Sequence, residues 1–484
     1  MEFYGPITGE KFAFLLFRDN GEVIEFNHWS QVKEYKSELK ISKSSIQIFL
    51  RNGCVYPPYT IYSNVLMLPI GTKLTIDIKN DIFKWENNFC FLDRHSKQDS
   101  KPSTSKLKTL IANSFAHLKK EVKPIYMMQS AGKDSTAMLL GLHEQGIQNV
   151  HCVTYEANFR DTESDAAKKI AESLGFEHTI LFPNYEAEFD ALLEYQENAV
   201  SITGDFSMLP YIAANKSVFK SDSLVIDGLG NDLYMGYVSN KLERSIMKCS
   251  LGNFSYLEPS KFTSNEVINY AISSIFMKPY ERLFPGTRLS SSEIENFTDN
   301  KFIDDDAIYF SKQYNNLDKD DFRAAIRARF CDSTMFQMKA ELTTNSFGNE
   351  VYFPFSNKEL VDYYFNLPIE ERYDKANSCN KTLLRSMLNE YVEVDDFFKV
   401  KSGFRYNMPE FITINKEKIK KEIIECDLLE QDYSNRFFAK HLDVQKVNYT
   451  SACKAYILLV FASWRNRNKL AVVDGHVADK FDWY

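Results

Sequence analysis

A chain of 484 residues, 44% hydrophobic and 26% charged, carries enough apolar side chains for two or three domain-sized units of a globular protein. Its net charge of −8 argues against a nucleic-acid partner, and AYILLVFASW (Ala455–Trp464) is about half the length of a bilayer span, so it reads as a buried helix and no membrane partner is expected. Eight cysteines, none spaced as Cys-x-x-Cys and none with histidine at zinc spacing, argue against a structural zinc and suit a reducing compartment better than a disulfide framework.

The opening MEFYGPITGEKFAF has neither the basic nor the apolar stretch of a secretory leader, so a cytoplasmic location is expected. Residues 1–98 read as a β-rich unit. KFAFLLF, EVIEF, SIQIFL and KLTIDI are short apolar or alternating runs, separated by the turn signals DNG, RNG and PIG. The polar DRHSKQDSKPSTSK follows as a linker, and residues 99–123 are assigned to that linker and a first helix.

From residue 124 the pattern changes to strand–helix alternation. PIYMMQ, VHCVTYEA, EHTILFP and SLVIDGLG read as strands; STAMLLGLHEQG, TESDAAKKIAESLG (Thr162 as candidate cap) and AEFDALLEYQENAV read as helices. This alternation predicts an α/β fold: a parallel sheet with helices on both faces. Beyond about residue 260 helical segments dominate, among them NEVINYAISSIF, KDDFRAAIRARFCDSTMFQMKAEL, NKELVDYYFNLP and NKTLLRSMLNEYV, with Asn357 and Asn380 as candidate N-caps.

The stretch QSAGKDST (Gln129–Thr136) stands where the first of these strands hands over to a helix. Small residues there leave backbone N–H groups open, and with the positive end of the helix dipole they form an anion site. Ser130, Gly132, Ser135 and Thr136 would hold phosphate, the hydroxyls adding donors. Asp134 would repel a phosphate unless a cation lay between them, which points to Mg²⁺. The plainer alternative is a strand-to-helix turn capped by serines, with Asp134 as a helix cap.

The glycine spacing is not that of Gly-x4-Gly-Lys-Ser/Thr. The loop instead resembles the pyrophosphatase loop Ser-Gly-Gly-x-Asp-Ser of enzymes that split ATP between the α and β phosphates. Ser130, Gly132, Asp134 and Ser135 match, and Ala131 replaces the first Gly. Four further stretches narrow the likeness. IDGLGNDLYMGY (Ile226–Tyr237) is similar to Gly-Glu-Gly-x-Asp-Glu…Gly-Gly-Tyr of the asparagine synthetase-like family. EVYFPFSNKELVDYYFNLP (Glu350–Pro368) resembles its Glu-x-Arg-x-Pro-Phe-Leu-Asp…Leu-Val…Leu-Pro. KTLLR (Lys381–Arg385) and KVKSGFRYNMP (Lys399–Pro409) resemble its Lys-x-x-Leu-Arg and Arg-x-Lys-x-Gly-Phe-x-x-Pro. The motifs fall in family order over about 124–410.

The resemblance implies an adenine nucleotide α-hydrolase-like synthetase domain over 124–484, with a helical C-terminal part, behind a small β-rich, degenerate glutaminase-like domain over 1–98. The family's glutaminase nucleophile is a cysteine directly after Met1; Glu2 stands there, so glutamine hydrolysis is not expected. It also implies the chemistry: ATP activates a carboxylate as an acyl-adenylate, pyrophosphate leaves, and an amine or ammonia attacks. Ser130, Gly132, Ser135 and Thr136 would hold the pyrophosphate end. Asp134 and Asp232 would bind Mg²⁺. Thr154, Tyr155 and Glu156 would lie beside the adenine, and Gly228 and Gly230 would let the nucleotide approach the strand end. Lys401 matches the catalytic lysine, and Lys381 is a further phosphate candidate. As plainer alternatives, Asp232 is a turn residue and the two lysines are solvated surface charges.

One departure concerns the second half-reaction. The carboxylate between the two motif glycines is Leu229 here. Three readings follow: another base serves (Asp227 or Asp205, of which Asp227 reads more readily as a structural residue), the nucleophile needs none, or the protein only binds or cleaves ATP. The first class of function is thus an amide-forming ligase acting on a small-molecule or peptide carboxylate, with a separate ammonia-supplying or substrate-delivering protein as partner; lasso-peptide macrocyclases resemble this layout. A nucleobase- or RNA-modifying ATP pyrophosphatase and a non-catalytic scaffold are the alternatives.

Overall fold

The computed structural model describes residues 1–9, 11–87, 101–156, 163–232, 245, 289–302, 335–392 and 406–481. The N-terminal strands form where apolar runs meet turn residues: β1 (Glu2–Tyr4), β2 (Phe14–Phe17), β3 (Val23–Phe26), β4 (Lys40–Ser42), β5 (Val65–Met67), β6 (Thr72–Asp77) and β7 (Ile82–Asn87). Two antiparallel three-stranded sheets result, ordered β1-β6-β7 and β3-β2-β5. In β6 the alternation is visible directly: Thr72, Leu74 and Ile76 are buried, while their neighbours are half-exposed.

One segment read as strand is a helix. SIQIFL lies inside α2 (Lys43–Asn52), which follows the short α1 (Trp29–Val32). Ser42 caps α2, its Oγ accepting the Ser45 N–H at 3.4 Å, and Gly53 closes it at φ 74° with its N–H on the Phe49 carbonyl at 2.7 Å. Ile46, Phe49 and Leu50 recur at helical, not alternating, spacing and are all buried.

The next helix is α3 (Thr104–Ser114), so the final residues of the segment read as linker are helical. The alternation then appears as expected: β8 (Ile125–Met128), α4 (Lys133–Glu144), β9 (Val150–Tyr155), α5 (Glu163–Ser173), β10 (Glu177–Leu181), α6 (Tyr185–Asn198), α7 (Met208–Ser217) and β11 (Leu224–Asp227). Thr162, the candidate cap of α5, lies outside the described residues. After α8 (Ser291–Thr298) and α9 (Met338–Ser346), β12 (Glu350–Tyr352) completes a parallel sheet ordered β10-β9-β8-β11-β12. Both faces of its central strands β9, β8 and β11 are buried. Ile125, Met127, Leu224 and Ile226 pack on one side; Tyr126, Val153 and Val225 pack on the other. That two-sided burial is why the strands read as nearly continuous apolar runs.

The chain continues through α10 (Lys358–Phe365), a hairpin of β13 (Tyr373–Asp374) and β14 (Cys379–Asn380), then α11 (Thr382–Tyr391). Asn357 caps α10 as expected, accepting the Glu359 N–H at 3.1 Å. Asn380 does not cap α11. It belongs to β14, and Lys381 takes the cap position in a left-handed conformation. The C-terminal helices are α12 (Met408–Ile414), α13 (Lys416–Ile424), α14 (Gln431–His441) and α15 (Tyr449–Arg467), the last nearly all buried, as read from AYILLVFASW. Among the described residues no helix is long and apolar enough to cross a membrane. β15 (Ala471–Val473) then pairs in parallel with β4.

The largest core cluster crosses the whole chain. Phe14, Trp29 and Tyr62 of the N-terminal unit pack with Tyr195 and Met208 and with Phe461 and Trp464 of α15. Ring centroids lie 6.1 Å apart for Trp29–Tyr62 and 6.3 Å for Tyr62–Trp464. Aromatic side chains bury roughly 150–250 Å² each, so this continuous stack contributes several kcal/mol per ring before entropy.

Candidate active site at the strand tips

In sheets of this kind ligands sit beyond the carboxyl ends of the strands, where the strand order reverses. Here that point lies between β8 and β11, paired in register so that Met128 faces Asp227. The turns leaving these two strands carry the residues singled out in the sequence.

After β8 the loop folds on itself. The Gly132 N–H donates to Ser130 Oγ at 3.1 Å, Ser135 Oγ donates to the Ser130 carbonyl at 2.5 Å, and Thr136 Oγ1 donates to the Gly132 carbonyl at 2.8 Å. Ser135 and Thr136 are buried. Their hydroxyls therefore shape the loop, and Gly132, as N-cap of α4, supplies no side-chain cap to the helix. An uncapped first turn with small residues around it is what an anion needs. Ala131 is fully buried and is not among the residues with positive φ, so the position does not require the family's glycine.

Asp134, in the first turn of α4, and Asp232, after β11, meet at one ammonium group. Lys381 Nζ lies 2.5 Å from Asp134 Oδ2 and 2.7 Å from Asp232 Oδ1. Asn231 Nδ2 donates to the other Asp134 oxygen at 2.6 Å. Burial alone would lower the Lys381 ammonium; the two carboxylates outweigh it and hold its pKa above the ordinary lysine value. Lys381 itself stands at φ 58°, ψ 41°, a left-handed conformation costly for a side-chain-bearing residue, and its N–H is tied to the Arg372 carbonyl at 2.7 Å. Backbone strain is spent on bringing this one amine to the two aspartates.

Asp227, at the tip of β11, is 5% exposed and accepts the Leu229 N–H at 2.8 Å. Burial pushes its carboxyl up to about 7; the charge of Asp134 adds to the rise, while the Leu229 N–H and Lys339 pull against it. Leu229 points elsewhere, into an apolar cluster with Tyr211, Ala340 and Phe353. Asp205 is committed to a buried ion pair, 2.8 Å from Lys339 Nζ, and also accepts the Ser207 hydroxyl at 2.8 Å.

The tip of β9 is built into the scaffold through its side chains. Thr154 Oγ1 donates to the Gln129 carbonyl at 2.9 Å, Tyr155 OH donates to Glu188 Oε1 at 2.6 Å, and Glu156 accepts the Ser164 hydroxyl. Lys401 lies outside the described residues. Asn231, Gln337, Lys339 and Ser356 border the site without having been singled out in the sequence. Asn231 stands inside the GLGND run and was open to that reading; Gln337 and Lys339 carry no local signal.

Among the described residues no three His, Cys, Asp or Glu side chains converge on a point. Two hard carboxylate oxygens from Asp134 and Asp232 nonetheless suit Mg²⁺, which takes one or two carboxylates and completes its shell with water and phosphate. A family model described as asparagine synthase matches residues 106–465. No curated protein matches the chain.

Proposed function

Because the chain belongs to the asparagine synthase family, a family of ATP-dependent amide-forming ligases, we propose that it adenylates a substrate carboxylate and passes the acyl group to an amine or ammonia without hydrolysing glutamine itself. The observation that carries the proposal is the convergence of Asp134 and Asp232, from the tips of β8 and β11, on Lys381.

In the first step a carboxylate oxygen of the substrate bonds to the α-phosphorus of ATP. The bond from that phosphorus to the bridging oxygen breaks, and pyrophosphate leaves. Backbone N–H groups at the start of α4, with Ser130 and Gly132, bind and orient the leaving end. Asp134 and Asp232 would hold Mg²⁺, which when bound neutralises charge on the phosphate oxygens. Lys381 keeps the two carboxylates together; the positions a side chain would take at Gly228 and Gly230 face Met138 and Gln337, so these glycines fit the turn after β11 against the scaffold and do not open space for the nucleotide. Lys401 is the further lysine expected to oppose charge in the transition state.

In the second step the amine nitrogen bonds to the acyl carbon, the bond from that carbon to the oxygen bridging it to phosphorus breaks, AMP leaves with that bridging oxygen, and a proton must leave the nitrogen. Leu229 offers no base. Asp227 is a carboxyl poised near neutrality at the same strand tip, which supports it as the acceptor. Asp205 is already paired with Lys339 and is the weaker candidate. The apolar setting of Leu229 favours one other reading, a protein that cleaves ATP without forming an amide.

The test is carboxylate-dependent exchange of labelled pyrophosphate into ATP with Mg²⁺, over amino acids, uronic acids and short peptides, followed by a search for amide product. Exchange with a defined carboxylate class, followed by amide on adding an amine, is expected. No exchange across the panel would remove the adenylation step; exchange without amide would select the cleavage-only reading.

A further inference from the structure

The first turn of α9 grips three parts of the molecule with three consecutive residues. Gln337, its N-cap, is the last residue of a wide π-type turn and is wholly buried; such turns recur at functional sites. Met338 Sδ receives the Trp29 indole N–H at 3.2 Å, from the N-terminal unit. Lys339 holds Asp205 and Ser207. One turn further on, Glu341 Oε1 lies 3.3 Å from His28 Nδ1, again from the N-terminal unit.

The Gln337 amide fills the gap between two glycines. A Cβ on Gly9 would lie 2.3 Å from its Oε1, and a Cβ on Gly230 would lie 2.9 Å from its Nε2. Nε2 donates to Ser356 Oγ at 3.0 Å, while Oε1 has no hydrogen-bond partner among the described residues. The amide is thus held chiefly by shape. Gly230, at φ +102°, is the residue whose turn delivers Asn231 and Asp232 to Asp134 and Lys381. Close-packed contacts with no void transmit a displacement instead of absorbing it.

We propose that Gln337 is a positioning residue that couples the N-terminal unit, through the segment around Gly9, to the turn that carries Asp232. The N-terminal unit then acts as a wedge setting the metal-side wall of the nucleotide site. The inference rests on the nucleotide site proposed above, and the two are separated by the test.

Hydrogen exchange of the full chain, with and without Mg–ATP, reads the coupling from the nucleotide side. Nucleotide is expected to protect 126–136 and 224–232, and also 1–12; in Gln337→Ala the protection of 1–12 is lost while that of the two loops remains. Calorimetric titration reads it from the other side. Gly9→Ala should weaken Mg–ATP binding about tenfold in the wild-type background and less than about twofold in the Gln337→Ala background, the non-additivity expected of residues in contact. Protection of the loops without protection of 1–12, or an equal effect of Gly9→Ala in both backgrounds, overturns the coupling alone. No protection at 126–136 or 224–232 overturns the nucleotide reading and the coupling with it. Should Gly9→Ala fail to fold, the exchange data on wild type and Gln337→Ala still decide the question.

Discussion

Asp134 has two roles that substitution separates. Its two oxygens receive Asn231 and Lys381 separately; an asparagine keeps one oxygen for Lys381, and its NH2 can meet Asn231 once that amide turns its oxygen inward. Asp134→Asn should therefore leave the fold standing, with a loss of about 1–2 kcal/mol for a weakened ion pair, while pyrophosphate release falls by at least about a hundredfold. Urea midpoints and exchange rates on one preparation check both, and unchanged release would remove the metal role. Lys381→Gly tests the strained lysine. Glycine accepts φ 58° at little cost, which offsets part of the lost ion pairs; activity should drop far more than stability. Asp227 adds a pH signature. Its folded carboxyl titrates near 7, against about 4 for an unfolded aspartate. Between these values the folded state holds the extra proton, so stability is greatest at the acid end and falls as pH rises towards 7. Asp227→Asn should flatten this slope in denaturant melts at pH 5 and pH 8. It should also spare pyrophosphate exchange while cutting amide formation; equal loss of both would make Asp227 a structural residue.

At the scale of elements, Glu188 of α6 ties the tip of β9 to the start of α12. Both its oxygens are engaged: Oε1 receives Tyr155 OH at 2.6 Å, and Oε2 receives Tyr406 OH. Glu188→Ala strands two buried phenols and should cost about 2–5 kcal/mol, whereas Glu188→Gln should cost clearly less; urea unfolding compares them. A loss under 1 kcal/mol for the alanine variant would show the network to be dispensable. The central elements were legible in the sequence because two-sided burial writes long apolar strands, and helices that close at Gly146 and Gly175 follow β8 and β9. β8, α4, β9 and β11 declare themselves in this way. Other elements do not. Ile46–Leu50 looks like a strand until its cap, Ser42, and its closing Gly53 are weighed. α7 (Met208–Ser217) is missed because it is buried nearly all round and shows no polar stripe. Asp134 and Asp232 could be named from a motif, but their meeting at Lys381 rests on the hairpin of β13 and β14, two strands of two residues each that no periodicity announces. Gln337 is invisible in sequence, since its place depends on two glycines far from it along the chain.

For the whole molecule, the shared stack of Trp29, Tyr62 and Trp464 decides how it comes apart. Removing residues 1–98 would uncover the N-terminal side of α15 and its neighbours, so residues 99–484 alone should be insoluble or lack near-ultraviolet ellipticity. A well-folded 99–484 fragment would mean that the N-terminal unit adds nothing to the main core. The pairing of β15 with β4 has a further consequence, one of timing. Residues 40–42 leave the ribosome early, yet the strand that lies beside them is 471–473, and Val477 donates its N–H to Ser63. At roughly 5–20 residues per second, the earliest part of the polypeptide waits on the order of half a minute or more for the stretch that completes it. Nascent chains halted at intermediate lengths should stay protease-sensitive at their amino ends until the final helix and that late strand emerge, so birth order and assembly order run in opposite directions.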